Sequence, residues 1–483
     1  MIIKNDISLF QSYLTDASGY IGNAQKLYIP ENKDELIELV KDLYKDNINI
    51  TIAGAGTGLT GSRVPQIGVV ISLEKFNDIN SFDEIKKTVN CGSGLLWKDL
   101  NNFLEDNNYF LPPNPTEYNS SIGGNISCNS SGSRTYKYGS TRNYVEELEI
   151  ILPNGELLFI DRKNKEQNSK NGVITVKTEY STYIINTIDV TKTNTKNASG
   201  YFLKKDMHLI DLFIGAEGTL GIILEAKLSF LRIPDTILGL IIYFDEIEQL
   251  LSITKILKSK STNDISPRLI EYFDINSLKI ISEKYQVPKN ANNAIWIEQE
   301  IGEKDDLDFI LQLYYNLIEK HTKLADNTWV ALDDKEHNLM KEFRHYLPLQ
   351  IYENLSKSNL IKVGTDCAVE DEYFEEYFKL VRIELNKLNL YYVVFGHIGN
   401  NHLHINLFGK NEVEKKQALN FYEFIIDLTI KYKGTISAEH GIGKLKKVYF
   451  LKMYENNIID KMKEIKLIFD SKNLLNKGNI FDL

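Results

Sequence analysis

Cysteine is scarce: three in 483 residues, at 91, 128 and 367, too few, too far apart and too odd in number for a disulfide framework or a CxxC metal knuckle. They suit a reducing compartment. No stretch approaches the about 20 consecutive apolar residues of a membrane-spanning helix, and the opening MIIKNDISLF lacks the apolar core and small-residue cleavage site of a secretory signal. A cytoplasmic location is expected, with peripheral contact at the inner face of a membrane left open. Basic charge is also short, since 56 Lys and Arg stand against 66 Asp and Glu, giving a net charge of -10 and a pI near 5.5. Without a Lys/Arg block carrying interleaved aromatics, nucleic acid is not an expected partner, and small-molecule chemistry remains. Internal repeats and low-complexity segments are missing. Histidine numbers only eight, none of them before His208.

What is present suits a globular protein of two or three domains, because 43% hydrophobic content over this length can bury more than one core. Residues 34–47 place Leu36, Leu39, Val40 and Leu43 on one helical stripe, and the run 48–53 that follows is β-rich. Residues 69–73 predict another strand, and 95–107 a helix with Leu96, Leu100, Phe103 and Leu104 inward. Between 148 and 160, apolar runs flank Pro153-Asn154-Gly155, where Asn-Gly predicts the positive φ angles of a tight hairpin. After Pro234 the character changes. Strands at 237–244 and 294–300 are interleaved with amphipathic helices at 246–259, 306–321 and 371–388, which predicts an antiparallel sheet covered by helices on one face. The tail 457–469 is amphipathic again.

The glycine-dense loop GAGTGLTG, residues 54–61, formally satisfies GxGxxG through Gly56, Gly58 and Gly61, with Glu74 near the place of a ribose-binding acid. A dinucleotide-binding Rossmann loop must run into a helix, yet Ser62-Arg63-Val64-Pro65-Gln66-Ile67-Gly68 puts a proline, a glycine and β-branched residues there. A helix-end phosphate site is therefore not expected. Four glycines in eight residues still allow successive amides to converge on an anion, helped by the Thr57 and Thr60 hydroxyls; a plain turn is the alternative. A second segment, 112–144, runs for 33 residues rich in Gly, Ser, Asn and Thr with little apolar periodicity. It is too long for an idle connection and points to wrapping a ligand.

Half of the histidines gather late in the chain, as His397, His402, His404 and the Glu439-His440 pair; His208, His321, His337 and His345 are scattered. Imidazoles with a carboxylate are the ligand set borderline divalent metals favour, and three protein ligands leave a coordination position for substrate. The alternative is polar residues of a half-buried strand.

GAGTGLTG, PPNPT, SIGGNISCNSSGSRTYKYGSTRNYV, GAEGTLGII, GHIGNNHLHIN and SAEHGIG stand in the same order as in FAD-linked oxidases of the vanillyl-alcohol-oxidase (p-cresol methylhydroxylase, PCMH) superfamily. The chain resembles, more narrowly, the D-2-hydroxy-acid dehydrogenase branch, which includes D-lactate dehydrogenases, glycolate oxidase flavin subunits and D-2-hydroxyglutarate dehydrogenases. The resemblance implies an α+β protein: a PCMH-type FAD-binding domain of two α/β subdomains over 1–233, a cap domain with a helix-covered antiparallel sheet over 234–430, and a segment 431–483 that completes the active site. It implies that Gly54, Ala55, Gly56, Thr57, Gly58 and Leu59 hold the pyrophosphate. Pro115, Thr116, Ser121, Gly124, Asn125, Gly132, Tyr138 and Gly139 would make further flavin contacts, with Glu217 and Ile222 near the adenosine or ring system. Some superfamily members attach flavin through a histidine of the N-terminal domain; with none before His208, non-covalent FAD is expected, a thioether to Cys91 or Cys128 being the alternative.

The same resemblance implies His397, His404 and Glu439 as ligands of a divalent metal, zinc or manganese, with His440 as catalytic acid/base and Asn406 near the substrate. Arg344, in KEFRHY, resembles the carboxylate-binding arginine, a task for which a bidentate guanidinium is suited. Lys362 is a weaker candidate for a second carboxylate contact, being farther from Asp366 than the lysine of the related dicarboxylate enzymes, which tilts the expectation to D-lactate or glycolate. Where the family usually reads GHxGDGNLH, Asn400-Asn401-His402 stands here, so an acidic partner for a ligand histidine is lost. His402 shares strand parity with His404 and is expected to pack outward. The implied reaction is metal-assisted oxidation of a small D-2-hydroxy acid, with electrons passed to a quinone, cytochrome, electron-transfer flavoprotein or oxygen, and with a homodimer left open. Alternatives are a flavin subunit of a multi-component oxidase and a metal-dependent hydrolase using the same His/Glu cluster.

Overall fold

The computed structural model describes all residues except 191–194, 260–264, 303–304 and 359. The chain opens on a four-stranded sheet in the order Ile2–Lys4, Lys26–Ile29, Val69–Ser72, Ile50–Ala53, whose last three strands run parallel. Helix Lys33–Lys45 supplies one crossover. Asn32 caps it by accepting from the Glu35 amide at 3.0 Å, Asp34 and Glu35 complement the dipole of the first turn, and Leu36, Leu39, Val40 and Leu43 are buried as their spacing predicts. Between Ile50–Ala53 and Val69–Ser72 the glycine loop runs without helix, in agreement with the proline and glycine at 65 and 68.

A five-stranded antiparallel sheet follows, in the order Ile79–Asp83, Thr88–Gly92, Ile222–Ser229, Val145–Ile151, Leu157–Asp161, backed by helix Trp97–Asp106. The turn between its last two strands differs from expectation: only Gly155 takes a positive φ, +84°, with the Gly155 amide donating to Leu152 O and the Leu152 amide to Glu156 O. Pro153 and Asn154 form an ordinary turn, and one glycine after it suffices to reverse the chain.

Sheet membership changes between Leu231–Arg232, which pairs with Tyr109–Phe110, and Thr236–Phe244, the first strand of a seven-stranded antiparallel sheet. Its order is Trp329–Ala331, Thr236–Phe244, Asn293–Ile301, Pro267–Asp274, Tyr391–His397, His402–Gly409, Ile361–Gly364. Helices cover both faces rather than one. Leu240, Ile242, Ile295 and Ile297 share a core with Leu250 and Ile310, whereas Ile241, Tyr243 and Trp296 pack with Leu278, Met340 and Phe343. Alternate residues of these strands are apolar on either side, so a two-sided burial is what their composition requires. The C-terminal chain returns to the first sheet, where the Ile50 amide donates to Leu474 O at 2.8 Å and the Ile52 amide to Asn476 Oδ1 at 2.8 Å. Among the described residues no helix is long and apolar enough to cross a membrane.

Candidate active site

Adjacent antiparallel strands deliver the histidines. Tyr391–His397 and His402–Gly409 pair with His397 opposite His402 and Phe395 opposite His404, and Asn401 at φ 55° turns the chain between them. Gly396 is required here: at φ +129°, an added Cβ would lie 3.0 Å from His404 Cδ2. His397 Nε2 lies 3.2 Å from Glu439 Oε1, while His402 Nδ1 and His404 Nε2 lie 3.9 and 3.8 Å from its Oε2. One donor atom from each of His397, His402, His404 and Glu439 falls within 4.8 Å of the others. His397 Nε2 and both ring nitrogens of His402 are buried without a hydrogen-bond partner, and a shared cation would satisfy one nitrogen of each ring. The residues thus fit a divalent ion.

His402 does not pack outward. It is fully buried and belongs to this cluster, because segment 366–369 closes over that side, with Ala368 bridged to His402. Its Nε2 is 3.0 Å from Asp366 Oδ1 but not aligned for a hydrogen bond.

Asp366 sets the loop that carries Glu439 and His440. Its Oδ2 accepts from Ser437 Oγ at 2.8 Å, Lys446 Nζ at 2.7 Å and the His440 amide at 3.0 Å, and its Oδ1 from the Glu439 amide at 3.2 Å. With its oxygens committed in this way it is a poorer metal ligand than Glu439. Burial works against the charged carboxylate, but His440 and Lys446 outweigh it and hold Asp366 well below the usual range. His440 Nδ1 lies 3.3 Å from Asp366 Oδ2, so the tautomer with the proton on Nδ1 leaves an Nε2 lone pair available. Burial lowers the His440 pKa against the opposing pull of Asp366, and it lowers His402 to about 4. Glu439, contacted by Lys196 and by Ser131 Oγ at 3.2 Å, stays ionised: Lys196 and His397 overcome the cost of its burial.

Glu271 takes the role the missing acid at 400 would have had. It touches His397 Nδ1 with one oxygen and accepts from Arg344 Nε at 3.0 Å with the other. Burial opposes its charge, yet the adjacent His397 and Arg344 bring its pKa down to about 2. Arg344 is buried, lies 4.9 Å from the Phe395 ring centroid, and keeps Nη1 without a partner. Nothing around Glu271 in the sequence marks it except its type: it is the acid in the middle of Pro267–Asp274, a strand buried at every position. Asn406 is buried with its Nδ2 donating to His404 O at 3.3 Å, and Lys362 stands on the neighbouring strand, exposed but close enough to contribute to lowering the His440 pKa.

The sequence segments expected to bind flavin meet around Gly54, whose added Cβ would come 2.6 Å from Ser121 Oγ. The amides of Ala55, Gly56, Thr57, Gly58 and Leu59 donate to no protein acceptor among the described residues, and Gly56 takes φ +85°. A run of unspent donors is what a pyrophosphate needs, so the loop fits FAD, with the Arg63 guanidinium packed so close to Gly56 that an added Cβ would lie 2.3 Å from its Cζ. Ser121 caps helix Ile122–Cys128, accepting from Gly124, and Asn125 Nδ2 donates to Ser120 Oγ. Gly132 passes so close to the 112–116 run that a Cβ would sit 1.7 Å from Asn114 O, and Gly139 at φ +79° closes the Tyr138 turn, whose carbonyl accepts from Tyr144 Oη at 2.9 Å. Pro115 lines a small void beside Asn125. Ile222 packs its side chain into the core with Leu36 and Val69. The Glu217 carboxylate is spent on the C-terminal loop, accepting from the Ile442 amide at 2.6 Å, the Gly443 amide at 2.8 Å and Ser62 Oγ at 2.9 Å. Burial pushes the Cys91 and Cys128 thiols up to about 12, the opposite of what a thiolate nucleophile requires.

A cavity of about 250 Å³ joins the two halves of the site: Asn114 and Thr116 of the flavin segment line it together with Arg344 and His397.

Residues 24–161 match an FAD binding domain, and residues 238–480 match the C-terminal domain of FAD linked oxidases. The chain is 27% identical to glycolate oxidase subunit GlcD of Bacillus subtilis over 94% of its length and 88% of the relative's. It is 25% identical to D-2-hydroxyglutarate dehydrogenase of Stutzerimonas stutzeri (99% and 96% covered) and 26% to D-lactate dehydrogenase of Archaeoglobus fulgidus (93% and 90%). Among solved structures, alkyldihydroxyacetonephosphate synthase superposes with a TM-score of 0.69 at 16% identity, covering 98% of this chain and 81% of the other, which shows a shared fold. With a flavin-domain match at one end and a match to the oxidase C-terminal domain over half of its length, the chain belongs to the FAD-linked oxidases.

Proposed function

We propose that this chain is an FAD-dependent, divalent-metal-assisted dehydrogenase that oxidises a small D-2-hydroxy acid to the 2-oxo acid. One observation carries the reading: the cavity lined by Asn114 and Thr116 also contains Arg344 and the ligand-type histidine His397. The relatives named as D-lactate and D-2-hydroxyglutarate dehydrogenases support the substrate class. When bound, FAD supplies the acceptor for the C2 hydride, and the metal, zinc or manganese, supplies a Lewis acid at the hydroxyl and carboxylate oxygens.

The chain's own residues do the rest. Arg344 offers the substrate carboxylate a guanidinium already fixed by Glu271, with Nη1 unspent. His440 Nε2 accepts the hydroxyl proton, and Asp366 holds the ring and stabilises the imidazolium that results. His397, His404 and Glu439 would hold the ion, with His402 added to that set as a fourth candidate. Glu271 orients His397 from behind. Asn406, and with less support Lys362, stand beside this centre as substrate contacts. Residues 1–233 would carry the cofactor, 234–430 cap it, and 431–483 close the site.

The test is mutational. In folded, flavin-loaded protein, His440→Ala and Glu439→Ala should slow anaerobic flavin bleaching by the substrate by about 10²-fold or more; wild-type rates would overturn the assignment. A second reading, that the chain works as one component of a larger oxidase, is favoured by the relative named as a glycolate oxidase subunit. Turnover of the purified chain with an artificial dye separates the two. A quinone, cytochrome or electron-transfer flavoprotein would be the natural acceptor.

A further inference from the structure

The cavity shared by His397 and Arg344 holds more positive charge than a 2-hydroxy monoacid can use. Its wall carries Lys98, Arg134, Lys341 and Arg344 against Glu105 and Glu298. Glu298 accepts from Arg268 Nε at 2.7 Å through Oε2, leaving its buried Oε1 without a hydrogen-bond partner, and Glu105 accepts from Asn101 Nδ2 at 2.8 Å, so the two acids offset only part of the positive charge. The side chains of Arg134 and Lys341 make no hydrogen bond or ion pair with protein among the described residues; the Arg134 guanidinium has the Phe110 ring beneath it, 5.4 Å from the centroid. Burial, aided by nearby Arg268, pushes the Arg134 guanidinium down to about 10, and burial lowers the Lys341 ammonium too. Glu298 and Glu105 pull the other way on both groups, but four cations against two acids leave a surplus of positive charge that an entering anion would relieve.

Their placement is ordered. Lys341 lies one helical turn before Arg344 on helix Asp334–Ser358, so both project from one face, and Arg134 approaches from the cofactor segment opposite. We propose that Arg134 and Lys341 form a second anion subsite, so that the preferred substrate is a 2-hydroxy acid bearing a second carboxylate. This rests on the D-2-hydroxy-acid reading of the site. It also revises the expectation of a monoacid, which depended on the displacement of Lys362: here the additional positive charge comes from other elements.

The test uses the full chain loaded with FAD and metal. Anaerobic flavin reduction is compared for D-malate and D-2-hydroxyglutarate against D-lactate and D-2-hydroxybutyrate, in the wild type, Arg134→Gln and Lys341→Met. The diacid-to-monoacid ratio of kcat/KM should exceed one in the wild type and fall about tenfold or more in each variant, chiefly through KM. A wild type that prefers monoacids, or a ratio that neither substitution moves, overturns the subsite. If no hydroxy acid reduces the flavin, the parent reading has failed, and calorimetry with unreactive acids judges the subsite alone. Glutarate binding more tightly than butyrate, with the difference lost in both variants, upholds it; equal binding overturns it.

Discussion

The role proposed for His440 follows from its surroundings. Burial favours the neutral ring, and Asp366 faces Nδ1, so Nε2 would be ready to accept a proton at neutral pH. Protonation removes that acceptor, and because the folded pKa lies below the ordinary 6.5, flavin reduction should hold at neutral pH and decline only as pH falls below about 6.5. A rate that instead declines on crossing from pH 8 to 7 would contradict this. Asp366→Asn should keep the fold's shape but misdirect the 437–440 loop, lowering metal affinity and turnover about 10- to 100-fold, read by metal content after dialysis and by flavin bleaching. Single residues were unequally legible in the sequence. His397, His404 and Glu439 were visible as members of a late gathering of histidines with a Glu-His pair, and as the ligand set the family resemblance implies, and the structure brings them together with His402. Glu271 and Lys196 were not, because each comes from a distant element and only tertiary contact reveals its partner.

At the scale of elements, the C-terminal loop is the hinge pin of the site. The Thr60 hydroxyl donates to His440 O at 3.3 Å, Lys444 Nζ donates to Gly61 O at 3.1 Å, and Glu217 receives the amides of 442 and 443, so the glycine loop and the 440–444 loop share one set of bonds. Glu217→Ala should leave those amides buried and unpaired, costing about 1–3 kcal/mol in chemical denaturation and weakening FAD retention. Stability equal to wild type, with flavin fully retained, would show the tether to be idle. The helices at 34–47, 95–107, 246–259 and 371–388 were readable from apolar stripes, and the rejection of a Rossmann helix after Gly61 from Pro65 and Gly68 alone. The two-sided cover of the large sheet and the inward place of His402 were less readable, since period-two alternation tells which residues share a face but not what lies against it.

For the whole molecule, cofactor and metal are expected to act on stability together, because the glycine loop, the 112–144 segment and the 437–446 loop contact one another. FAD at 100 times its dissociation constant should raise unfolding free energy by about 2.7 kcal/mol, seen as a concentration-dependent melting temperature. Acid precipitation should release the yellow chromophore into the supernatant, since the pKa of both candidate thiols is pushed up to about 12, away from the thiolate a thioether link would need. The most direct measurement is anaerobic bleaching of the bound flavin by paired D- and L-2-hydroxy acids, before and after chelation and again after zinc or manganese is restored. Bleaching by the D-acids, lost on chelation and recovered with the metal, is the predicted result. Bleaching that ignores chelation, or favours the L-acids, would contradict the account.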